Sequence, residues 1–201
     1  MKFTMIRSVA AAGLLALAGA AGATTITFDS LTNPGIWQYT TDTYTEQGYS
    51  FASNVPSNGY SLYSYGLQSP FNADPTGATL SQEFQGNQYG FVVSRVGGGS
   101  FVLGSFDLAN SADDASGGTV SFSYVDATGV HYEDLALADQ SGLQTFTFDL
   151  GAISSFALWS NNFQVDNVNV EASTIPVPEP STGGLLLAGL AALITVRRRK
   201  G

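Results

Sequence analysis

The residues best equipped for chemistry in this chain are scattered acids and clustered aromatic rings. Asp29 closes an alternating ITFD run near the start, Glu46 sits in YTEQGY, and Asp166 stands near the end in FQVDNV. Carboxylate oxygens are hard donors, the kind that Ca2+ gathers in roughly six- to eight-fold coordination. Asp29, Glu46 and Asp166 are therefore candidate metal ligands for a structural Ca2+, provided the first and last strands pair. The rings form a second set. Tyr60, Tyr63 and Tyr65 recur two or three residues apart in a polar stretch, and Trp37 and Tyr39 occupy another. Aromatic faces stack on the apolar faces of ligands such as sugar rings, so Trp37, Tyr60, Tyr63 and Tyr65 are candidate ligand-binding residues. Trp159, in FALWS, reads as core.

Catalytic constellations are sparse. His131 is the single histidine and the chain has no cysteine. A histidine-dependent triad needs a placed nucleophile and an orienting acid, and no G-x-S-x-G turn is present to supply the serine. Lying just after a turn in GVHYED, His131 reads as a solvated strand residue. One histidine without cysteine does not make a usual zinc site. Glu133 and Asp134 are adjacent, which on a strand sends them to opposite faces. Asp113 and Asp114 fall in the turn-rich NSADDASGG, where aspartate is favoured by local hydrogen bonds. GGG at 97–99 lacks the lysine and following helix of a phosphate loop. These residues lead us to expect a protein that is not an enzyme, with a binding or structural role. The alternatives are a glycan-active hydrolase, which would need two carboxylates roughly 5–10 Å apart in a cleft, and a structural adhesin without a ligand site.

The elements that must hold these residues read as strands. Val120, Phe122 and Tyr124 alternate with polar neighbours, as do Phe146, Phe148 and Leu150, Ile26 and Phe28, and Tyr89, Phe91 and Val93. Period-two alternation marks half-buried antiparallel strands. Turn formers separate them, among them NPG at 33–35, DPTG at 74–77 and SGG at 116–118. The pattern predicts an all-β fold, an antiparallel β-sandwich of jelly-roll type. Two strands change phase. Phe163 and Val165 share one face while Val168 and Val170 share the other, so a β-bulge at Asp166–Asn167 is needed to return both pairs to one core. A similar slip at Gly104 in FVLGSFDL predicts a second bulge or bend. The stretch from Ser53 to Thr76 reads as a long irregular loop with weak strands.

The ends differ from the middle. Residues 1–23 carry Lys2 and Arg7, an apolar run and the small residues Ala21 and Ala23, which is the pattern of a signal peptide cleaved after Ala23. Residues 24–172 form the sandwich ectodomain. Residues 173–182, STIPVPEPST, form a proline-rich linker. Residues 183–201 combine a short apolar helix with a basic tail containing Arg197, Arg198 and Arg199. That run is shorter than the ~20 residues of a comfortable membrane span. Basic residues at both ends place the domain between them outside the cytoplasmic membrane. Of the chain's acids, 15 lie between Asp29 and Glu171, with Arg95 the one basic residue there. A surface this acidic excludes nucleic acid as a partner. Without cysteine there are no disulfides, so an exported domain relies on its core, bound metal, or both.

The tail PVPEPSTGGLLLAGLAALITVRRRK resembles the sorting signal of PEP-CTERM proteins, with Pro178, Glu179 and Pro180 followed by the apolar helix and arginine cluster. The resemblance implies an exported protein of a Gram-negative bacterium, cleaved by signal peptidase and processed by an exosortase. It would be transiently membrane-anchored, then placed at the cell surface or in the extracellular matrix, in association with exopolysaccharide or biofilm. Segments from ITFDSL to FQVDNV also resemble an uncharacterised ectodomain often attached to that signal. FQVDNV is similar to the last strand of jelly-roll carbohydrate-binding modules, where first- and last-strand carboxylates often hold calcium. Polysaccharide is the partner this implies. N-terminal sequencing of the exported protein is expected to begin at Thr24; a mature chain beginning at Met1 would contradict the signal-peptide reading.

Overall fold

The computed structural model describes residues 22–54, 61–82, 90–113, 115–160 and 163–173. Ala21, Tyr60, Asp114, Pro178, Glu179, Pro180, Arg197, Arg198 and Arg199 lie outside the described residues, as do the signal peptide up to residue 21 and the tail. The described residues contain thirteen strands. They are β1 (Ala23–Ile26), β2 (Trp37–Tyr39), β3 (Thr43–Glu46), β4 (Tyr49–Ser53), β5 (Leu62–Tyr65), β6 (Thr79–Gln82) and β7 (Gly90–Arg95), followed by β8 (Phe101–Asn110), β9 (Gly118–Asp126), β10 (Gly129–Leu137), β11 (Gln144–Thr147), β12 (Ser155–Trp159) and β13 (Phe163–Ala172). One three-residue 3-10 turn, Asp29–Leu31, follows β1. Among the described residues no helix is long and apolar enough to cross a membrane.

The strands form two antiparallel sheets. The seven-stranded sheet runs β11-β8-β13-β6-β5-β2, with β1 also on β13. The six-stranded sheet runs β10-β9-β12-β7-β4-β3. Each strand turns one side inward, because a period-two backbone sends alternate side chains to opposite faces. The core between the sheets is aromatic. Phe106 meets Phe122 at 5.7 Å and Phe156 at 5.8 Å across the gap, Tyr49 meets Phe101 at 5.2 Å, and Phe28 meets Phe51 at 5.0 Å.

The long strand β13 organises the larger sheet. One edge pairs with β8 along its length; the other is shared, with Gln164 and Val165 on β6 and Val168 to Glu171 on β1. The first and last strands therefore pair, Ala23 opposite Glu171 and Ile26 opposite Val168. The register against β8 breaks between Asp166 and Asn169, where Asn167 adopts a left-handed φ of 48°. This bulge returns Val168 and Val170 to the face already held by Phe163 and Val165, and all four are buried. A second register shift sets Asn169 opposite Ser105 but Val170 opposite Leu103, leaving Gly104 over. Both breaks of alternation in the sequence are thus bulges.

In the segment from Ser53 to Thr76, read as an irregular loop with weak strands, residues 55–60 lie outside the described residues and the short strand β5 pairs with both β2 and β6. Four- and three-residue strands among Gly, Asn and Ser carry too little alternation to stand out from a turn-rich sequence. Two other expectations need correction. In LQTFTFDL the strand ends at Thr147, and Phe148 and Leu150 pack on the core from irregular chain. Trp159 is not core: β12 buries Phe156 and Leu158, so Trp159 lies on the opposite face, partly buried and 6.2 Å from the Tyr132 ring. Phe106 is fully buried among four other rings. Phe106→Ala is expected to cost about 3–5 kcal/mol of unfolding free energy, read from the urea midpoint at unchanged slope.

Candidate functional site

The outer face of the seven-stranded sheet carries Trp37, Tyr63 and Tyr65 and, further along, Asp166. Strand register places Trp37 opposite Tyr65 and Tyr39 opposite Tyr63. Leu62 and Ser64 point inward, so these four rings share the outward side of β2 and β5. Successive edge-to-face contacts link them, Trp37–Tyr39 at 4.8 Å, Tyr39–Tyr63 at 6.2 Å and Tyr63–Tyr65 at 5.2 Å. Trp37 is 54% exposed. Tyr65 is buried behind it, its hydroxyl 3.0 Å from that of Tyr63, and burial pushes its phenol well above the ordinary range. Tyr65 therefore supports the patch from behind, while Trp37, Tyr39 and Tyr63 reach solvent. Tyr39 extends the set expected from sequence. Ile36, Leu67 and Phe71 add exposed apolar surface on the neighbouring segments.

Next to this patch the sheet face turns polar and is covered. Segment 66–78 folds over Thr79, Ser81, Gln164 and Asp166, all of them buried. Gln164 fastens it. Its Oε1 accepts from Ala73 N (3.1 Å) and Thr79 Oγ1 (2.6 Å), and its Nε2 donates to Phe71 O (2.6 Å) and Asn110 O (2.9 Å). A buried primary amide is tolerated because its hydrogen-bonding capacity is used. Within the segment, Asn72 Nδ2 donates to Gly66 O and Gly77 O while its Oδ1 accepts from Asp74 N. Nothing in the sequence marked Gln164 as a fastener, because glutamine on an outward strand position normally faces water.

Beyond Gln164 the same strand delivers Asp166, 1% exposed, directly opposite Asp107 on β8. Burial pushes the Asp166 carboxyl up to about 8, with Asp74, Asp29 and Asp107 adding repulsion and the Asn167 N–H opposing it. Asp29 and Asp166, far apart in sequence, are thus brought into one electrostatic neighbourhood. Asp74 and Asp107 join them, which sequence reasoning missed: Asp74 reads as an ordinary DPTG turn residue and Asp107 as a solvated strand position. A Cβ on Gly77 would crowd Asp74 Oδ2 and Asp29 Oδ1, so a larger residue there would push these two carboxylates aside. Glu46 is engaged elsewhere. It accepts from Tyr44 Oη at 2.5 Å, and burial together with that bond raises the Tyr44 phenol to about 12.

Among the described residues, the other sequence candidates are engaged locally. His131 stacks on Tyr124 at 4.7 Å, and both Asp126 Oδ1 and Thr128 Oγ1 lie 3.0 Å from its Nε2. A triad engages the two ring nitrogens separately; here both contacts converge on one. Asp126 instead caps the β9–β10 turn. The Thr128 hydroxyl and N–H hold its carboxyl down at about 2. Glu133 and Asp134 alternate along β10 as expected, and Asp134 accepts from Ser121 Oγ. Asp113 accepts from Gly142 N, a bond that joins two separate turns.

Comparison with known proteins adds one firm result. Residues 176–200 match the PEP-CTERM protein-sorting motif, so the chain carries the sorting signal of an exported, surface-directed protein that an exosortase processes. No curated protein matches the chain. Among solved structures, similarity extends to a mutant of a carbohydrate binding module family 29, with 13% identity and a TM-score of 0.37 over 80% of this chain and 99% of that one. It extends also to the module CBM6cm-2 from Cellvibrio mixtus lichenase 5A in complex with cellotriose, with 11% identity and a TM-score of 0.28 over 68% and 96%. A third is CtCBM11, with 14% identity and a TM-score of 0.31 over 78% and 99%. Likenesses this distant assign no ligand.

Asp166 makes stability depend on pH when no cation is present. Its folded-state value of about 8 lies above the ordinary 3.8. Between those values the folded protein holds a proton that the unfolded chain has released, so stability falls as pH rises. In EDTA, the melting temperature is expected to climb as pH is lowered from 8 to 5, and the climb to disappear in Asp166→Asn. A flat profile in the wild-type protein would contradict the burial of an uncompensated carboxyl.

Proposed function

We propose that the domain is a non-catalytic glycan-binding module of an exosortase-sorted protein, which associates with exopolysaccharide through Trp37, Tyr39 and Tyr63. The jelly-roll reading of the two-sheet fold belongs to this proposal. The observation that carries it is the chain of ring contacts across β2 and β5 ending in the half-exposed Trp37. A large indole left open on a three-residue edge strand, backed by the buried Tyr65, is a rigid apolar plate with polar edges. Such plates suit sugar rings, whose C–H faces stack while their hydroxyls hydrogen-bond at the rim. The Tyr63 hydroxyl supplies one such group.

Charge narrows the ligand. The region between Asp29 and Glu171 carries 15 acids and one base, so an anionic polymer is repelled and a neutral polysaccharide is favoured. The sorting motif supports the same setting, since it directs the protein to the surface where such polymers lie. The hydrolase alternative is less well supported. The acids that do come together surround a carboxyl that is 1% exposed, which is not a cleft open to a sugar chain.

Affinity electrophoresis of the full chain in gels containing hydroxyethylcellulose, glucomannan or dextran tests this reading. Retardation is expected in at least one neutral polymer, and Trp37→Ala or Tyr63→Ala should weaken it about tenfold, or ~1.4 kcal/mol. Equal mobility of wild-type and variant proteins in every polymer would refute a glycan role for the patch.

A further inference from the structure

We propose that the outer face of the six-stranded sheet is a second glycan-binding surface, built on Tyr132 and Trp159, and that the domain thereby cross-links neutral polysaccharide chains. One of its two contacts is the β2–β5 patch, so the cross-linking rests on the glycan reading of that patch. The second surface stands on its own residues.

The exposed large apolar side chains of the described residues gather in two main places. Ile36, Trp37, Leu67 and Phe71 adjoin the first patch, whereas Val92, Val130 and Tyr132 belong to the other sheet. Strand register arranges the second group. One row across the sheet runs from Tyr132 on β10 through Ser123 on β9 and Ala157 on β12 to Val92 on β7. The next row runs Asp134, Ser121, Trp159 and Gly90. Their strand neighbours Phe122, Leu158 and Phe91 are buried in the core, so both rows point outward.

Tyr132 is 74% exposed and meets the Trp159 ring edge-to-face at 6.2 Å and 72°. The two rings come from strands on either side of β9 and meet across it, where Ser121 and Ser123 are small enough to pass beneath. Asp134 stands beside them. Its Oδ1 accepts from Ser121 Oγ at 2.8 Å, which orients the carboxylate and leaves Oδ2 for hydroxyl donors of a ligand. On the far side of the indole the β7 position is Gly90. A Cβ there would meet Leu158 O at 1.9 Å and Trp159 Cβ at 2.6 Å, so no side chain of β7 can rise next to Trp159.

Charge selects the occupant. From β3 to β10, Asp134 is the one charged residue that the register turns to this outer face, in a region with 15 acids and one base. An acidic domain that keeps charge off a whole sheet face leaves that face to an uncharged partner. Paired rings, serine hydroxyls and one oriented carboxylate match the C–H faces and hydroxyls of a neutral sugar chain. The two sheets share one core, so their outer faces look in opposite directions and a chain on one leaves the other free.

Bridging tests the proposal. The full chain is added to beads carrying hydroxyethylcellulose, glucomannan or dextran, with the same polymer supplied in soluble fluorescent form. The wild-type protein should bind the beads of at least one polymer and capture its soluble form there. Tyr132→Ala and Trp159→Ala should stay on the beads through the first patch yet capture at least about tenfold less, because one of two linked contacts is gone. Tyr132 is exposed, so Tyr132→Ala should melt with the wild-type protein. Light scattering should give a monomer for both. Bead binding without capture, or capture undiminished in both variants, would overturn the second surface and leave the first patch standing. A wild-type dimer that Tyr132→Ala turns into a monomer would overturn it too, since the face would then join two copies of the chain. Absence of bead binding on all three polymers would overturn the cross-linking together with the glycan reading.

Discussion

The constraint on which the larger sheet depends is that β13 must keep one continuous apolar face while carrying Gln164 and Asp166 on the other. Phe163 and Val165 set the inward face, and strict alternation would then turn Val168 and Val170 out into the polar cover. Exposing two buried β-branched residues costs several kcal/mol, about 1.5–3 for each, which outweighs the roughly 1 kcal/mol scale of a disturbed ladder bond. The chain therefore takes a bulge, with Asn167 in the left-handed region that asparagine tolerates. The bulge also decides where charge goes. It leaves Asp166 beside Asp107 and places Asn167 to bond both carboxylates.

Much of the rest follows from that strand. Because β6 covers only the first part of its free edge, β1 can occupy the remainder. The junction between the two is where Asp29, leaving β1, and Asp74, approaching β6, converge. Gln164 anchors the covering segment on the near side through Phe71 and Ala73. The acidic group lies at the far side of the same cover. One face of one sheet thus carries a rigid aromatic plate, a hydrogen-bonded cover and a charged junction, in that order from the β2 edge inward. The other sheet presents mostly small side chains, with Tyr132 at 74% exposure its most open ring.

The core strands were legible because their alternation is long and their turns are rich in glycine. The phase break at Asp166 was legible for the same reason: apolar pairs on either side of an Asp-Asn step reach one face of a strand only when a residue is inserted between them. It also identified Asp29 and Asp166 as neighbours once first and last strands were expected to pair. Other features depend on contacts between distant segments. Asp74 and Asp107 are 33 residues apart in the numbering and belong to a turn and a strand that are each ordinary locally. Their meeting is fixed by the β8–β13–β6 order, which no local pattern states. The strands β2 and β5 were hidden by their shortness, so their rings read as loop residues. The sorting tail was legible for the opposite reason, since a tripeptide, an apolar run and an arginine cluster act by composition and order along the chain.

Hydrogen exchange of the full chain and of Asp166→Asn at pH 8.5 probes the junction directly. If the buried Asp166 carboxyl loosens the junction by repelling Asp29, Asp74 and Asp107, the amides of residues 27–31, 74–79 and 166–169 should slow together by at least about tenfold in Asp166→Asn, while β9 and β10 remain unchanged. Identical exchange at those three segments in the two proteins would contradict the account.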